Sequence, residues 1–254
     1  MYGAAMFGIS VSPCSNPDLS LEDVLAAYGQ IGYRRFEVFT SWTKSAADID
    51  ADPETYRRAL ERHGFQASSL HLPPLTENLD ASLPRAVRAC RFAEALGCPV
   101  VIVKAETKAD YIAGAPVLLD AIATIPVTPV LTNHKGSAIT TLQDYAHVRA
   151  GIDNPQMKCL LEVGHFHAAG VRWPAAYEAL AGAIALVHIK DQIGGQSVRF
   201  GSGEIDLPGL LERLMADGYG GDVVVEMEVA DRHSTLRYLA EALDYVQRHT
   251  RGPR

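Results

Sequence analysis

An alternation of short apolar β-type runs with amphipathic helical segments constrains this 254-residue chain more than any other feature. The first such runs are M-F-G-I-S-V-S at 6–12 and R-R-F-E-V-F-T at 34–40, with a helical pattern at 21–31 between them. Ser20 is a good N-cap for that helix, and Gly32 ends it. Strands that alternate with helices predict a parallel sheet with right-handed crossovers.

The same alternation continues along the chain without a linker rich in proline, glycine or serine. The later predicted strands cover 65–72, 99–105, 128–133, 157–163, 184–189 and 222–229. The later predicted helices cover 53–63, 81–96, 109–125, 141–150, 174–180, 207–216 and 234–249. Eight strand–helix pairs favour a single α/β (β/α)₈ TIM barrel over an open doubly wound sheet. We therefore predict one barrel domain at 1–250 and a disordered tail at 251–254.

Composition limits the kinds of partner this chain can have. It is 48% hydrophobic and carries a net charge of −7 without a basic stripe, which disfavours a nucleic-acid binder. No apolar run is long enough to span a membrane, and the N-terminal residues lack a signal-peptide pattern. Four scattered cysteines without a C-x-x-C pair indicate reduced, buried thiols. We expect a cytoplasmic protein without nucleic-acid or membrane partners.

Titratable residues gather where the predicted strands end, which is where barrel enzymes place their chemistry. The residues at these ends are Glu37, His71, Lys104, His134, Glu162, His165, His188, Lys190, Glu226 and Glu228. Glu162 follows C-L-L and Glu226 follows V-V-V, and carboxylates inside apolar strands are costly unless they are paired or bind metal.

Two interpretations explain how the charges of these buried carboxylates could be compensated. A divalent cation held by Glu162, His188 and Glu226 would do so, and mixed carboxylate and imidazole ligands suit Mn²⁺, Mg²⁺, Co²⁺ or Zn²⁺. The alternative is a buried salt bridge to Lys104, Lys190 or Arg199. Glu37 is left open between a substrate contact and a partner for Arg34 or Lys104.

Several motifs together resemble the xylose isomerase-like TIM-barrel superfamily. They are V-H-I-K-D at 187–191, Arg199, G-S-G-E-I-D at 201–206, G-Y-G-G at 218–221 and V-V-V-E at 223–226, together with G-Y-x-x-x-E at 32–37, S-L-H at 69–71 and E-V-G-H at 162–165. The superfamily includes sugar isomerases and epimerases, inosose-processing enzymes, 3-dehydroshikimate dehydratases and an endonuclease branch. The resemblance spans nearly the whole chain.

The resemblance implies a metal with four ligands, Glu, Asp, His and Glu. Glu162, His188 and Glu226 match the last three positions, with Glu162 where the family has Asp. Thr132 occupies the position of the first glutamate, and a neutral threonine is a poor metal ligand, so the metal is in doubt.

The same resemblance assigns roles to other residues. It implies Glu226 as an acid/base group, His134 as the base used in dehydratase relatives, and Lys190 as a stabiliser of carbonyl or enediolate charge. The expected substrate contacts are His71, His165, Arg199 and Glu37.

Three functions follow as expectations. The first is an isomerase or epimerase that removes a proton next to the carbonyl of a small sugar, keto-sugar or cyclitol ketone, assisted by a divalent metal. The second is a lyase of the 3-dehydroshikimate dehydratase kind, favoured by the missing glutamate at Thr132. The third is a non-catalytic barrel that binds a ligand or a partner. The resemblance also makes a homo-oligomer possible.

Overall fold

The computed structural model describes residues 7–250, so Met6 and the predicted tail at 251–254 lie outside the described part. The strands are β1 (Gly8–Val11), β2 (Arg35–Val38), β3 (Gln66–His71), β4 (Val100–Val103), β5 (Thr128–Leu131), β6 (Lys158–Glu162), β7 (Ile184–Ile189), β8 (Asp191–Ile193), β9 (Gln196–Val198) and β10 (Asp222–Val225). The α-helices are α1 (Leu21–Ile31), α2 (Pro53–Arg62), α3 (Leu79–Ala95), α4 (Lys108–Ala121), α5 (Leu142–Ile152), α6 (Val163–Ala168), α7 (Trp173–Leu180), α8 (Leu207–Ala216) and α9 (Thr235–Thr250).

Eight of these strands close into a parallel barrel in the order β1-β10-β7-β6-β5-β4-β3-β2, which confirms the predicted (β/α)₈ fold. The helices begin at the residues the sequence offers as caps. Ser20 accepts the amide of Asp23 at the start of α1, and Thr107 and Thr141 form capping boxes at α4 and α5. Within residues 7–250, none of the helices combines the length and apolar character that a membrane span requires.

Three elements depart from the predicted alternation. Helix α6 follows β6 directly, and β8 and β9 form an antiparallel hairpin after β7. In addition, β10 ends at Val225, whereas the sequence pattern extended this strand to residue 229. Glu226 therefore lies just past the carboxyl end of its strand, at the mouth of the barrel.

The barrel interior is filled by a separate layer of apolar side chains from alternate positions of five strands. This layer consists of Val100, Ile102, Val130, Leu160, Leu186 and Val224. Because side chains alternate along a strand, the residue two positions further again faces inward. Those next residues are Lys104, Thr132, Glu162, His188 and Glu226, which we call the functional layer. The apolar layer thus forms the floor on which a polar site is built.

A buried carboxylate explains the spacing between H-I-K-D and G-S-G-E-I-D. Asp191 is 1% exposed, and its oxygens accept the amides of Gly201 (2.9 Å), Gly203 (2.8 Å) and Ile205 (3.3 Å). A side chain at Gly203 would overlap the Asp191 carboxylate. The motif is therefore a loop folded around one carboxylate, which positions the segment that follows β7.

Asp191→Asn should lower the free energy of unfolding by about 3 kcal/mol, because an amide group leaves buried backbone donors without an acceptor. Urea denaturation followed by circular dichroism measures this. Asp206→Asn is the matched control: Asp206 caps α8 by accepting the amide of Gly209, and asparagine caps helices equally well. Equal stability of the two variants would contradict the organising role of Asp191.

Candidate active site

A pocket of about 500 Å³ opens at the carboxyl end of the barrel strands. Its wall contains six of the residues predicted as site residues, namely His71, His134, Glu162, His165, His188 and Glu226. Glu37 and Lys190 lie behind this wall in contact with it. The structure does not bring Arg199 to the pocket: its side chain is exposed and donates to Ser202 Oγ at 2.9 Å.

Glu37 lies fully buried beneath two histidines, with an exposed fraction of 0%. Its Oε2 accepts the Ser69 hydroxyl at 2.8 Å and lies 2.9 Å from His188 Nε2, while its Oε1 lies 3.1 Å from His71 Nε2. Burial alone would lower the pKa of His188, but the charges of Glu37 and Glu226 raise it to about 10. Glu37 thus orients imidazoles, and its partners are neither Arg34 nor Lys104.

Lys190 lies at the centre of a carboxylate cluster and is 1% exposed. Its Nζ is 2.6 Å from Glu226 Oε2, 2.9 Å from Glu228 Oε2 and 3.9 Å from Glu162 Oε2. A side chain at Gly164 would overlap the aliphatic stem of Lys190, so this glycine leaves the path that the stem occupies. Burial alone would raise the pKa of Glu226, but the cations beside it, Lys190 foremost, hold it well below its usual range.

Glu162, unlike Glu226, has no cation among the described residues in direct contact with its carboxylate. Its Oε1 accepts the amides of Gly164 (2.9 Å) and His165 (3.3 Å) at the start of α6, which explains why a helix begins there. Its Oε2 is buried without a hydrogen-bond partner. Burial raises the pKa of Glu162 to about 8, because Lys190 at 3.9 Å only partly offsets it. The two carboxylates therefore lie in opposite environments: Lys190 favours the ionised form of Glu226, and burial favours the protonated form of Glu162.

The end of β5 contributes neutral groups. Asn133 is fully buried and bridges to the backbone of Glu162, donating to its carbonyl at 3.1 Å and accepting its amide at 3.3 Å. Thr132 lines the pocket with a hydroxyl. His134 Nδ1 donates to the Lys135 carbonyl at 2.9 Å, which leaves Nε2 as the basic nitrogen.

The second imidazole of this wall belongs to His165, whose ring centre lies 3.8 Å from that of His134. Burial lowers the pKa of His165 to about 3, so it is neutral near pH 7. It can therefore donate or accept a hydrogen bond without bringing a charge into the pocket.

An aromatic wall lies opposite. Phe39 stacks on His71 with ring centres 4.0 Å apart and contacts Trp42 at 5.6 Å. Trp42 is 63% exposed and has a positive φ of 78°, a backbone strain that is common at functional sites. Lys104 lies against Phe39, with Nζ 5.5 Å from the ring centre. The sequence allowed Phe39 and Trp42 to form an apolar pocket wall but assigned Lys104 only a salt-bridge role, although Lys104 is two residues beyond the inward-facing Ile102.

His188 lies near both of the other predicted metal ligands, Glu162 and Glu226. His188 Nδ1 is 3.2 Å from Glu226 Oε1 and 3.9 Å from Glu162 Oε2. Glu37, His188 and Glu226 also offer ligand atoms within 4.8 Å of one another. The partnerless Oε2 of Glu162 and the mixture of carboxylates with imidazole fit a divalent cation, although Lys190 occupies part of the same carboxylate shell.

The fold and the site together define a (β/α)₈ barrel with a carboxylate–histidine cluster at the carboxyl ends of its strands. The family described as xylose isomerase-like TIM barrel matches residues 25–249, and the chain belongs to this family. The resemblance inferred from the H-I-K-D and G-S-G-E-I-D motifs is thereby confirmed.

Three individual proteins that are similar to this chain share at most 29% sequence identity with it. The L-ribulose-5-phosphate 3-epimerase UlaE of Escherichia coli (strain K12) is 29% identical over 113 residues, which are 44% of this chain and 39% of that protein. A crystal structure of a D-tagatose 3-epimerase-like protein shares the fold at a TM-score of 0.77 and 18% identity, covering 95% of this chain and 99% of that one. The IolI protein with a bound zinc atom has a TM-score of 0.77 at 17% identity, covering 96% and 99%.

Proposed function

We propose that this chain is an isomerase or epimerase of a small polyhydroxylated carbonyl compound, which removes a proton from the carbon next to the carbonyl. The observation that carries this proposal is the pair of buried carboxylates in opposite environments on either side of His188: Glu226 lies 2.6 Å from Lys190, and Glu162 Oε2 has no hydrogen-bond partner among the described residues. Environments that push two pKa values apart assign one group as base and the other as acid. The pocket volume of about 500 Å³ is in the range of small-molecule sites.

Glu226 is the proton acceptor in this mechanism. It is ionised, lies in the pocket wall, and is held in place by Lys190 through Oε2 and by His188 through Oε1. These contacts fix the orientation of the carboxylate before the substrate binds, so that the substrate carbon is positioned against a base that does not move. The cations also lower its basicity, which makes the return of the proton to carbon favourable.

Glu162 is the proton donor. Its Oε1 is fixed by two backbone amides, which leaves Oε2 to carry the proton. Donation to the opposite face of the intermediate gives an epimer, and donation at the neighbouring carbon gives an isomer. His165 donates or accepts hydrogen bonds to the substrate hydroxyls as a neutral imidazole.

A divalent metal held by Glu162, His188 and Glu226 would replace the proton of Glu162, because a ligating carboxylate is deprotonated, and Glu37 would orient His188 from behind. A bound divalent ion acts as a Lewis acid, which polarises a carbonyl and acidifies the adjacent C–H. Three protein ligands are enough for a catalytic site with open positions.

Thr132→Glu should increase the affinity for Mn²⁺ or Zn²⁺ by about tenfold or more, because it adds a fourth, charged ligand from the neighbouring strand to the site. Isothermal titration of metal-stripped protein measures the affinity. The isosteric Thr132→Val is the control and should bind metal as the wild type does. Unchanged affinity in Thr132→Glu would show that this strand end does not face the metal.

A lyase is the second candidate, and His134 is the observation in its favour. Hydrogen bonding of Nδ1 to the Lys135 carbonyl leaves Nε2 as the nitrogen that can accept a proton at the pocket wall. An imidazole is well matched to abstracting a proton next to a carbonyl at neutral pH, and loss of a β-hydroxyl would complete an elimination.

Proton exchange in D₂O tests the function. The purified protein is incubated with a panel of ketoses and keto acids, and NMR follows loss of the proton next to each carbonyl. Deuterium in recovered substrate and in an epimer or isomer supports the first proposal. Exchange with formation of an enone instead supports elimination. No exchange with any compound, with or without added Mn²⁺, would favour the non-catalytic barrel.

A further inference from the structure

Lys104 differs from Lys190 and His188 because, among the described residues, no carboxylate is in direct contact with it. Glu37 contacts His71 and His188, and Glu226 contacts His188 and Lys190. Among the residues that the structure describes, no carboxylate lies within salt-bridge distance of Lys104 Nζ, and its ammonium lies over the face of Phe39. In the described part of the pocket wall it is also the sole lysine or arginine.

The position of Lys104 places it beside Thr132. Val103 of β4 pairs with Leu131 of β5, so the next residues, Lys104 and Thr132, are neighbours at the same height of the barrel. Both belong to the functional layer above Ile102 and Val130. The ammonium and the hydroxyl therefore form one side of the pocket, and β5 separates Lys104 from Glu162 on β6.

Electrostatics make this side receptive to an anion. Burial lowers the pKa of Lys104, and the charges of Glu37 and Glu226, which are not in contact with it, offset this only in part. The cation–π contact with Phe39 compensates only in part and keeps the ammonium against the pocket wall. An anionic group of the ligand would supply the missing partner.

We propose, on the basis of the proposed function, that the substrate is a keto-polyol carboxylic acid whose carboxylate binds between Lys104 Nζ and the Thr132 hydroxyl. The reacting carbon then lies towards Glu162 and Glu226, two to four strands further round the barrel. The Thr132 hydroxyl donates to the Asn133 carbonyl at 3.3 Å, a long hydrogen bond that a ligand carboxylate would replace. A carboxylate suits this position because one ammonium and one hydroxyl match one negative charge. A phosphate dianion requires more donors, such as backbone amides at a helix N-terminus or an arginine fork.

Binding of matched ligands tests the charge preference. Isothermal titration compares D-fructose with D-fructuronate and D-fructose 6-phosphate, which differ only at the last carbon, and with 2-keto-D-gluconate and D-fructose 1-phosphate, which differ at the first. At least one acid should bind about tenfold more tightly than D-fructose and than its phosphate counterpart. Absence of any acid with this preference, or a stronger preference for a phosphate, would overturn the proposal.

Variants locate the preference at Lys104. Lys104→Met should remove the advantage of the acid over D-fructose, and Lys104→Arg should retain most of it. Lys135→Met, which removes an exposed lysine outside the pocket wall, is the control and should bind as the wild type does. A preference for the acid that survives in Lys104→Met contradicts the proposal. Trapping of a covalent adduct at Lys104 by borohydride would also overturn it, because it would show an imine instead of an ion pair.

These outcomes separate the inference from the proposed function. If the acid binds through Lys104 but its α-proton never exchanges in D₂O, the function fails while the carboxylate site stands. If neutral ketoses exchange their protons and Lys104→Met changes neither binding nor exchange, the function stands while the carboxylate site fails.

Discussion

Glu226→Gln should lower kcat/KM for proton exchange by roughly 10³-fold, because an amide cannot accept the proton that the carboxylate removes. Glutamine has the same shape and can still accept a hydrogen bond from Lys190, so the pocket is expected to persist. The substrate should still bind, and the loss should appear in kcat more than in KM. Rates of deuterium incorporation with the best substrate of the panel measure the effect.

Glu228→Gln is the matched control for this result. Both carboxylates contact Lys190 Nζ, at 2.6 Å for Glu226 and 2.9 Å for Glu228, but only Glu226 also contacts His188. The Glu228 side chain is 42% exposed, so loss of its ion pair should reduce activity less than tenfold. Equal losses in the two variants would mean that pairing to Lys190, and not proton transfer, is what Glu226 contributes.

Lys190→Met should lower the free energy of unfolding by roughly 3–5 kcal/mol, because it leaves buried carboxylates without their cation. Methionine has nearly the length of the lysine stem and can follow the same path past Gly164, so packing changes little. The pKa of Glu226 should also rise, since Lys190 is the main cation that holds it down. Urea denaturation measures the stability.

A double variant separates lost charge compensation from lost packing. Lys190→Met with Glu226→Gln removes both members of the closest pair, and it should recover a large part of the stability lost in Lys190→Met. Lys44→Met, at an exposed lysine of a surface loop, should leave stability unchanged. A double variant no more stable than Lys190→Met would indicate that packing of the lysine stem dominates.

The sequence predicts the barrel and most of its active-site wall because both depend on local periodicity. Strands and helices alternate with clear caps, and alternate residues of one strand share a face. Counting two positions from Leu160, Leu186 and Val224 leads to Glu162, His188 and Glu226, all at the pocket. The convergence of these side chains follows from topology without knowledge of any side-chain contact.

Contacts between distant segments were not predictable in this way. Glu37 binds His188 across the barrel interior, and no local pattern indicates that partner. Helix α6 begins at residue 163 because the Glu162 carboxylate accepts the amides of the first helical turn, whereas the sequence V-G-H-F-H was interpreted as the end of a strand. Arg199 follows a hairpin that the alternation did not predict, so its distance from the pocket could not be foreseen.

The two neighbours at the end of β5 divide their tasks in a way that bears on how such barrels evolve. Asn133 ties β5 to β6 through both the amide and the carbonyl of Glu162, and it is fully buried. Thr132 faces the pocket and takes no part in that bridge. Mutation can therefore exchange the residue at position 132 while the scaffold stays intact. At this strand end, an anchoring residue next to a replaceable residue allows the chemistry of the pocket to change while the barrel stays intact.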